Sequence, residues 1–169
     1  MCSTLPAAFL QELQCELRTL GRDDILLVDC PVSGGTIRAA QGTLTVLASG
    51  SEEALKRAHP VLSCMSKDLF VIPGGVCAAS NVKMINQLLC GVHIAAAAEA
   101  MGLAAKAGLN TREVYEIIVN AAGNSWMFQD RVRHMLHNDW TPLSALDIFV
   151  KDMVRPSSSI SVSLSINGI

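Results

Sequence analysis

The spacing of apolar residues along the chain changes once, near residue 75. Before that point short β-branched runs alternate with helical repeats, and after it only the helical repeat remains. Phe9, Leu10, Leu13, Leu17 and Leu20 recur at helical spacing behind Ser3-Thr4-Leu5-Pro6, with Gly21 as the stop, and predict a first helix. Ile25-Leu26-Leu27-Val28 predicts a buried strand ending at Asp29. Thr43 to Ala48, between Gly42 and Gly50, predicts a second. Ser51-Glu52-Glu53 caps a helix reaching about Leu62, and Leu69 to Ile72 forms a third strand before Pro73-Gly74-Gly75. The order helix, strand, strand, helix, strand is that of the closing portion of an α/β sheet.

Beyond Ser80 the pattern predicts helices alone. Val82 to Ala107 is one run of good helix formers, weakly interrupted at Gly91 and Gly102 and stopped by Gly108; small side chains at 94–98 let other helices approach it on every face. A helix capped by Thr111 runs to Ala121-Ala122-Gly123, and two more cover Trp126 to Leu136 and Leu143 to Met153. From Pro156 to Ile169 serine alternates with Ile, Val and Leu, which reads as a disordered tail without chemistry. The expected organisation is therefore an α/β part over 1–75, an all-α part over 76–153 and a tail over 154–169.

Half of the 169 residues are apolar, which excludes disorder for most of the length. With 13 basic and 15 acidic residues the chain has no basic tract able to neutralise a row of phosphates, so neither nucleic acid nor an anionic membrane is an expected partner. Charge and glycine interrupt the apolar stretches, so no transmembrane helix is expected. Cys2, Cys15, Cys30, Cys64, Cys77 and Cys90 show no CxxC pairing and no histidine at metal-ligand spacing. They read as scattered buried thiols of a cytoplasmic protein, with no metal site. Trp126, Phe128 and Trp140 read as core or helix-packing aromatics.

Two segments could carry chemistry. Asp29 to Gly35 follows the strand-like run Ile25 to Val28, and in Ser33-Gly34-Gly35 a glycine turn can aim backbone N–H groups and a hydroxyl at an anion. The alternative is a turn that merely needs glycine for positive φ. Lys83 stands at the start of the long helix, with Asn86 and Gln87 three and four residues on, where both amides share its side of the helix. A lysine at the buried end of such a helix can act as a general base; the alternative is a lysine reaching out to solvent. No GxxxxGK[ST] segment supports a kinase or phosphate-binding protein.

Taken in order, Asp29 to Gly35, Gly42-Thr43-Leu44-Thr45, Gly74-Gly75, Lys83 to Leu89, Ala98-Glu99-Ala100, Ala107-Gly108-Leu109, Ser125 to Phe128 and Phe149-Val150-Lys151-Asp152 resemble the β-hydroxyacid dehydrogenases. The group includes 3-hydroxyisobutyrate dehydrogenase, tartronate semialdehyde reductase and the L-threonate dehydrogenase-like branch, and the likeness extends from about Ser3 to Met153. It implies a Rossmann-type sheet over 1–75, followed by a 6-phosphogluconate-dehydrogenase-like helical substrate and dimerisation domain. It also implies oxidation of a small hydroxy acid with NAD or NADP, and a homo-oligomer.

Carried over by that resemblance, Lys83 is the catalytic lysine and Ser33, Gly34 and Gly35 hold the substrate carboxylate. Asn86 binds the substrate hydroxyl, and Gln87 stands where many members have a second asparagine. Thr4 and Lys151 lie near the nicotinamide. Relatives open with a strand and a GxGxxG fingerprint that cradles the pyrophosphate, and this chain has neither, nor the relatives' later helices. The expectation is an incomplete unit, the substrate half of a dehydrogenase, inactive and not binding the dinucleotide by itself. The competing expectation is a non-catalytic helical interaction module.

Overall fold

A computed structural model describes residues 1–141, which contain, in order, α1 (Ala7–Thr19), β1 (Val28–Asp29), β2 (Val32–Ser33), α2 (Gly35–Ala40), β3 (Leu44–Gly50), α3 (Glu52–Met65), β4 (Ser66–Val71), α4 (Ala78–Lys106), α5 (Thr111–Val119) and α6 (Trp126–Leu136). The helix expected over 143–153, Lys151 and the tail lie outside the described residues. The described chain divides into two compact units, Met1–Ile85 and Asn86 onward, with the division falling inside the continuous helix α4.

In the first unit β3 is the central strand. It pairs with β4 in parallel and with β1 and β2 antiparallel. Val28 faces Gly50, Asp29 faces Ser49, Val32 faces Val46 and Ser33 faces Thr45, so the register is the same on both sides of Cys30-Pro31. β1 and β2 are therefore two pieces of one strand along one edge of β3, parted where a proline without an N–H enters the ladder. On the outer edge of β1 the chain start adds a parallel bridge: the Met1 ammonium donates to Val28 O and Cys30 N to Met1 O, both at 2.8 Å. Cys30, Leu44, Val46, Ala48 and Leu62 form the core beneath.

Helix ends follow local chemistry. Pro6 precedes α1, and Gly21 (φ 66°) closes it while Gly21 N and Arg22 N donate back to Arg18 O and Leu17 O, a Schellman end. Ser51 Oγ accepts from Ala54 N to start α3, which continues through Pro60 to Met65, past the expected stop at Leu62.

Several sequence expectations shift. The strand expected from Ile25 begins only at Val28, because β3 ends at Gly50 and leaves residues 25–27 nothing to pair with. The third strand begins at Ser66, drawn forward by its parallel pairing with β3. Neither β2 nor the six-residue α2 was anticipated, since each is too short to show a period.

The second unit contains the rest of α4 with α5 and α6. Ala97, Met101, Phe128 and Val132 are its buried core, and Tyr115 stacks on Phe128 with ring centroids 6.0 Å apart. Asn110, not Thr111, caps α5, its Oδ1 accepting from Arg112 N. Asn120 ends that helix before Ala121, with its Nδ2 donating to Glu116 O. Ser125 Oγ accepts from Phe128 N to start α6, which spans the expected residues.

Three further expectations are corrected. Trp126 and Trp140 are exposed at 70% and 75%; in α6 the packing stripe runs through Phe128 and Val132, and Trp126 falls off it. Cys2, Cys15 and Cys64 are exposed, leaving Cys30 and Cys77 as the buried thiols. Finally, α4 is long and apolar enough to cross a membrane by length and composition, with a mean hydropathy of 1.6 over its most apolar stretch. Lys83 and Glu99 do bound its uncharged stretch, Met84 to Ala98, as expected, but the glycine at 91 does not stop the helix. Ala97 and Met101 nevertheless pack as core residues with Phe128 and Val132.

Candidate active site

The first turn of α4 is fastened to the sheet by buried polar side chains. Asp29, at the end of β1, has no solvent exposure; its Oδ2 accepts from Ser80 N at 2.8 Å and its Oδ1 from Ser80 Oγ at 2.7 Å. Ser49, opposite Asp29 on β3 and equally buried, accepts from Ala79 N at 3.0 Å. These bonds satisfy N–H groups that a helix start otherwise leaves without partners, and a carboxylate there opposes the positive end of the helix dipole. Ser80 Oγ also accepts from Leu5 N at 3.5 Å, which joins the stretch containing Thr4 to the same point. Leading into the turn, Cys77 holds φ 93°, and burial followed by the Asp29 charge pushes its thiol pKa up.

Lys83 stands one turn beyond Ser80 and is buried, with 8% of its surface exposed. The solvent-reaching alternative for this lysine is therefore not the observed one. Thr4 and Lys83 both take part in polar or electrostatic interactions. Ser33 is half-buried in β2 opposite Thr45, Gly34 (φ 133°) caps α2, and Gly35 (φ 64°) is its exposed first residue. A Cβ on Gly34 would lie 2.8 Å from the Arg38 Cβ, so this turn requires glycine both for its backbone and for the space. Arg38 itself reaches Thr45 Oγ1 at 3.4 Å and Asp68 at 3.6 Å.

In the second unit, Asn86 is half-buried and Gln87 is 8% exposed. Asn86 Nδ2 donates to Gln87 Oε1 at 3.4 Å and contacts Cys90 Sγ at 3.6 Å. Lys151 lies outside the described residues, and among these no cluster of His, Cys, Asp and Glu could hold a metal.

The described residues do not supply a cradle for a dinucleotide pyrophosphate. Gly34-Gly35 lead into a helix of six residues, and the amides of Ala79 and Ser80 behind Gly74-Gly75 are already taken by Ser49 and Asp29. Asp29, Ser49 and Ser80 position this helix start, a role the sequence does not mark. An acid closing a strand and a serine opening a helix were visible, but their pairing across 51 residues was not.

A profile described as the NAD binding domain of 6-phosphogluconate dehydrogenase matches residues 2–78, and one described as the NAD-binding region of NADP-dependent 3-hydroxyisobutyrate dehydrogenase matches 77–156. The chain is 49% identical over 151 residues to L-threonate dehydrogenase of Escherichia coli K12, covering 89% of this chain and 49% of that protein. Among solved structures, 3-hydroxyisobutyrate dehydrogenase from Salmonella typhimurium superposes with a TM-score of 0.81 at 49% identity, over 92% of this chain and 54% of the other. The Mycobacterium tuberculosis 3-hydroxyisobutyrate dehydrogenase with L-serine gives 0.80 at 29% identity, over 93% and 56%. The chain thus spans about half the length of the curated relatives it matches. A Rossmann-type α/β part followed by a 6-phosphogluconate-dehydrogenase-like helical part, matched in order by two profiles and by relatives at this identity, makes the chain a member of the β-hydroxyacid dehydrogenase family, whose cofactor is NAD or NADP.

Proposed function

We propose that this chain carries the substrate-handling part of an NAD(P)-dependent oxidoreductase acting on the CH–OH group of a small β-hydroxyacid, of the L-threonate or 3-hydroxyisobutyrate type. The observation that carries the reading is Lys83, buried one turn beyond a helix start that Asp29 and Ser49 lock to the sheet. Its spacing to Asn86 and Gln87 along one helix adds support, as does the glycine-requiring turn at Ser33, Gly34 and Gly35.

In this reading the hydroxyl of Ser33 and the N–H groups of Gly34 and Gly35 receive the substrate carboxylate. Lys83 holds and moves the proton at the substrate hydroxyl oxygen, while the amides of Asn86 and Gln87 orient that hydroxyl. Thr4 and Lys151 belong to the nicotinamide end of the site. With no pyrophosphate cradle among the described residues, the chain alone does not turn over in this reading. The proposal places the chain in the cytoplasm, which six cysteines without a disulfide among them suit, and, on the family resemblance alone, in a homo-oligomer.

The test is titration of L-threonate and 3-hydroxyisobutyrate into isotope-labelled chain. Amide shifts at Ser33 to Gly35, weakened about tenfold or more in Lys83→Met, are expected. Binding elsewhere, or binding indifferent to Lys83, would overturn the assignment. Formation of NADH by the chain alone would overturn the claim of inactivity.

A second reading rests on a separate observation. Leu88, Leu89, Val92 and Leu103 on α4 are each more than half exposed, which suits a non-catalytic association module. A strictly monomeric chain in sedimentation would remove that reading. The Lys83 variant is neutral to it.

A further inference from the structure

The sulfurs of Cys2 and Cys30 lie 3.5 Å apart, and no step proposed above uses either. Their proximity is fixed by backbone. Met1 bridges to the strand on both sides of Asp29, through Val28 O and Cys30 N, so in this parallel pairing Cys2 falls beside Cys30. Neighbouring strands run about 4.8 Å apart. That lies inside the ~4.4–6.8 Å range of Cα separations that a disulfide spans without moving backbone. The two thiols differ in access: Cys2 is exposed, whereas Cys30 is 4% exposed and also lies 3.8 Å from the Met1 ammonium.

We propose that Cys2 and Cys30 are a peroxide-oxidised thiol pair whose disulfide fastens the amino-terminal segment to the edge of β1. The exposed Cys2 thiolate attacks the O–O bond of hydrogen peroxide, giving a Cys2 sulfenic acid and releasing hydroxide, which takes up a proton to leave as water. The Cys30 sulfur then attacks the Cys2 sulfur. The S–S bond forms, the sulfenic oxygen departs with the Cys30 proton as a second water, and two thiols have been oxidised as one peroxide is reduced. Burial and the neighbouring Cys2 push the Cys30 thiol up to about 11, so Cys30 is not the sulfur that meets the oxidant first. The bond would lie two residues before Thr4 and three before Leu5, whose N–H reaches Ser80 Oγ, and so would hold the stretch leading to the α4 anchor.

The experiment treats the 169-residue chain with a small molar excess of hydrogen peroxide, blocks remaining thiols and maps peptides without reduction. The expected result is a reductant-sensitive link between the Cys2 and Cys30 peptides, together with a higher thermal midpoint for the oxidised chain. Neither should occur in Cys2→Ser, a change at an exposed position that leaves the fold intact. Cys2 carried on to sulfinic acid while Cys30 stays alkylatable, or Cys2 linked instead to the exposed Cys15 or Cys64, would overturn the proposal.

Discussion

Replacing Asp29 by asparagine keeps the shape of the buried side chain while removing its charge, and so isolates what fastens α4. Two donors of Ser80 reach this carboxylate at 2.8 and 2.7 Å. A hydrogen bond to a charged group contributes about 1.5–3 kcal/mol and a neutral one about 0.5–1.5, so each of the two should weaken by about 1 kcal/mol. Loss of the favourable interaction with the helix start adds ~0.3–1 kcal/mol. Burying a charge carries its own desolvation cost, which asparagine avoids, and that offsets part of the loss. The net expectation is a destabilisation of about 2 kcal/mol. With a denaturant slope of ~2 kcal/mol/M, the urea midpoint should fall by about 1 M. Amide exchange supplies the local readout, with Ser80 N–H losing protection ahead of the core amides of β3. An unchanged or higher midpoint, with Ser80 N–H as protected as before, would refute the idea that this carboxylate holds the helix.

Gly34→Ala should destabilise by about 1–3 kcal/mol, because φ 133° is foreign to alanine and the added carbon would meet Arg38 at 2.8 Å; Gly21→Ala, in open space at φ 66°, should cost less, and chemical denaturation compares them. The Asp139 carboxyl accepts from Thr141 N and pairs with His134, and these partners, Thr141 first, hold it at about 2, below its ordinary 3.8. Its folded value is depressed, so its contribution to stability is complete above about pH 4 and is lost as pH falls through about 2. An NMR titration of that carboxyl with a midpoint near 4 would contradict the geometry.

Long regular elements were legible in the sequence, and short ones were not. α6 carries its own start signal in Ser125 and its own apolar repeat, and it spans the residues expected. The strand expected at Ile25 starts only at Val28, because an apolar run does not show where its partner ends: Gly50 finishes β3 and Ser51 starts a helix. A related limit applies to α4: Gly91 reads as an interruption in the sequence, whereas the helix absorbs it for about 1 kcal/mol. Among the candidate site residues, Lys83 stands out in the sequence by its place at a helix start. Its burial was not, because that depends on what holds the helix, and the anchor is assembled from Asp29, Ser49 and Ser80 on three separate elements.

The tie between Asp29 and Ser80 also bears on how this fold can drift in evolution. Changing one partner strands a buried donor or acceptor, whereas exchanging both for apolar groups of matching shape can be almost neutral. A lineage can therefore cross from the polar to the apolar solution only through a costly intermediate. The two positions should be inherited as a linked pair, changing together or not at all.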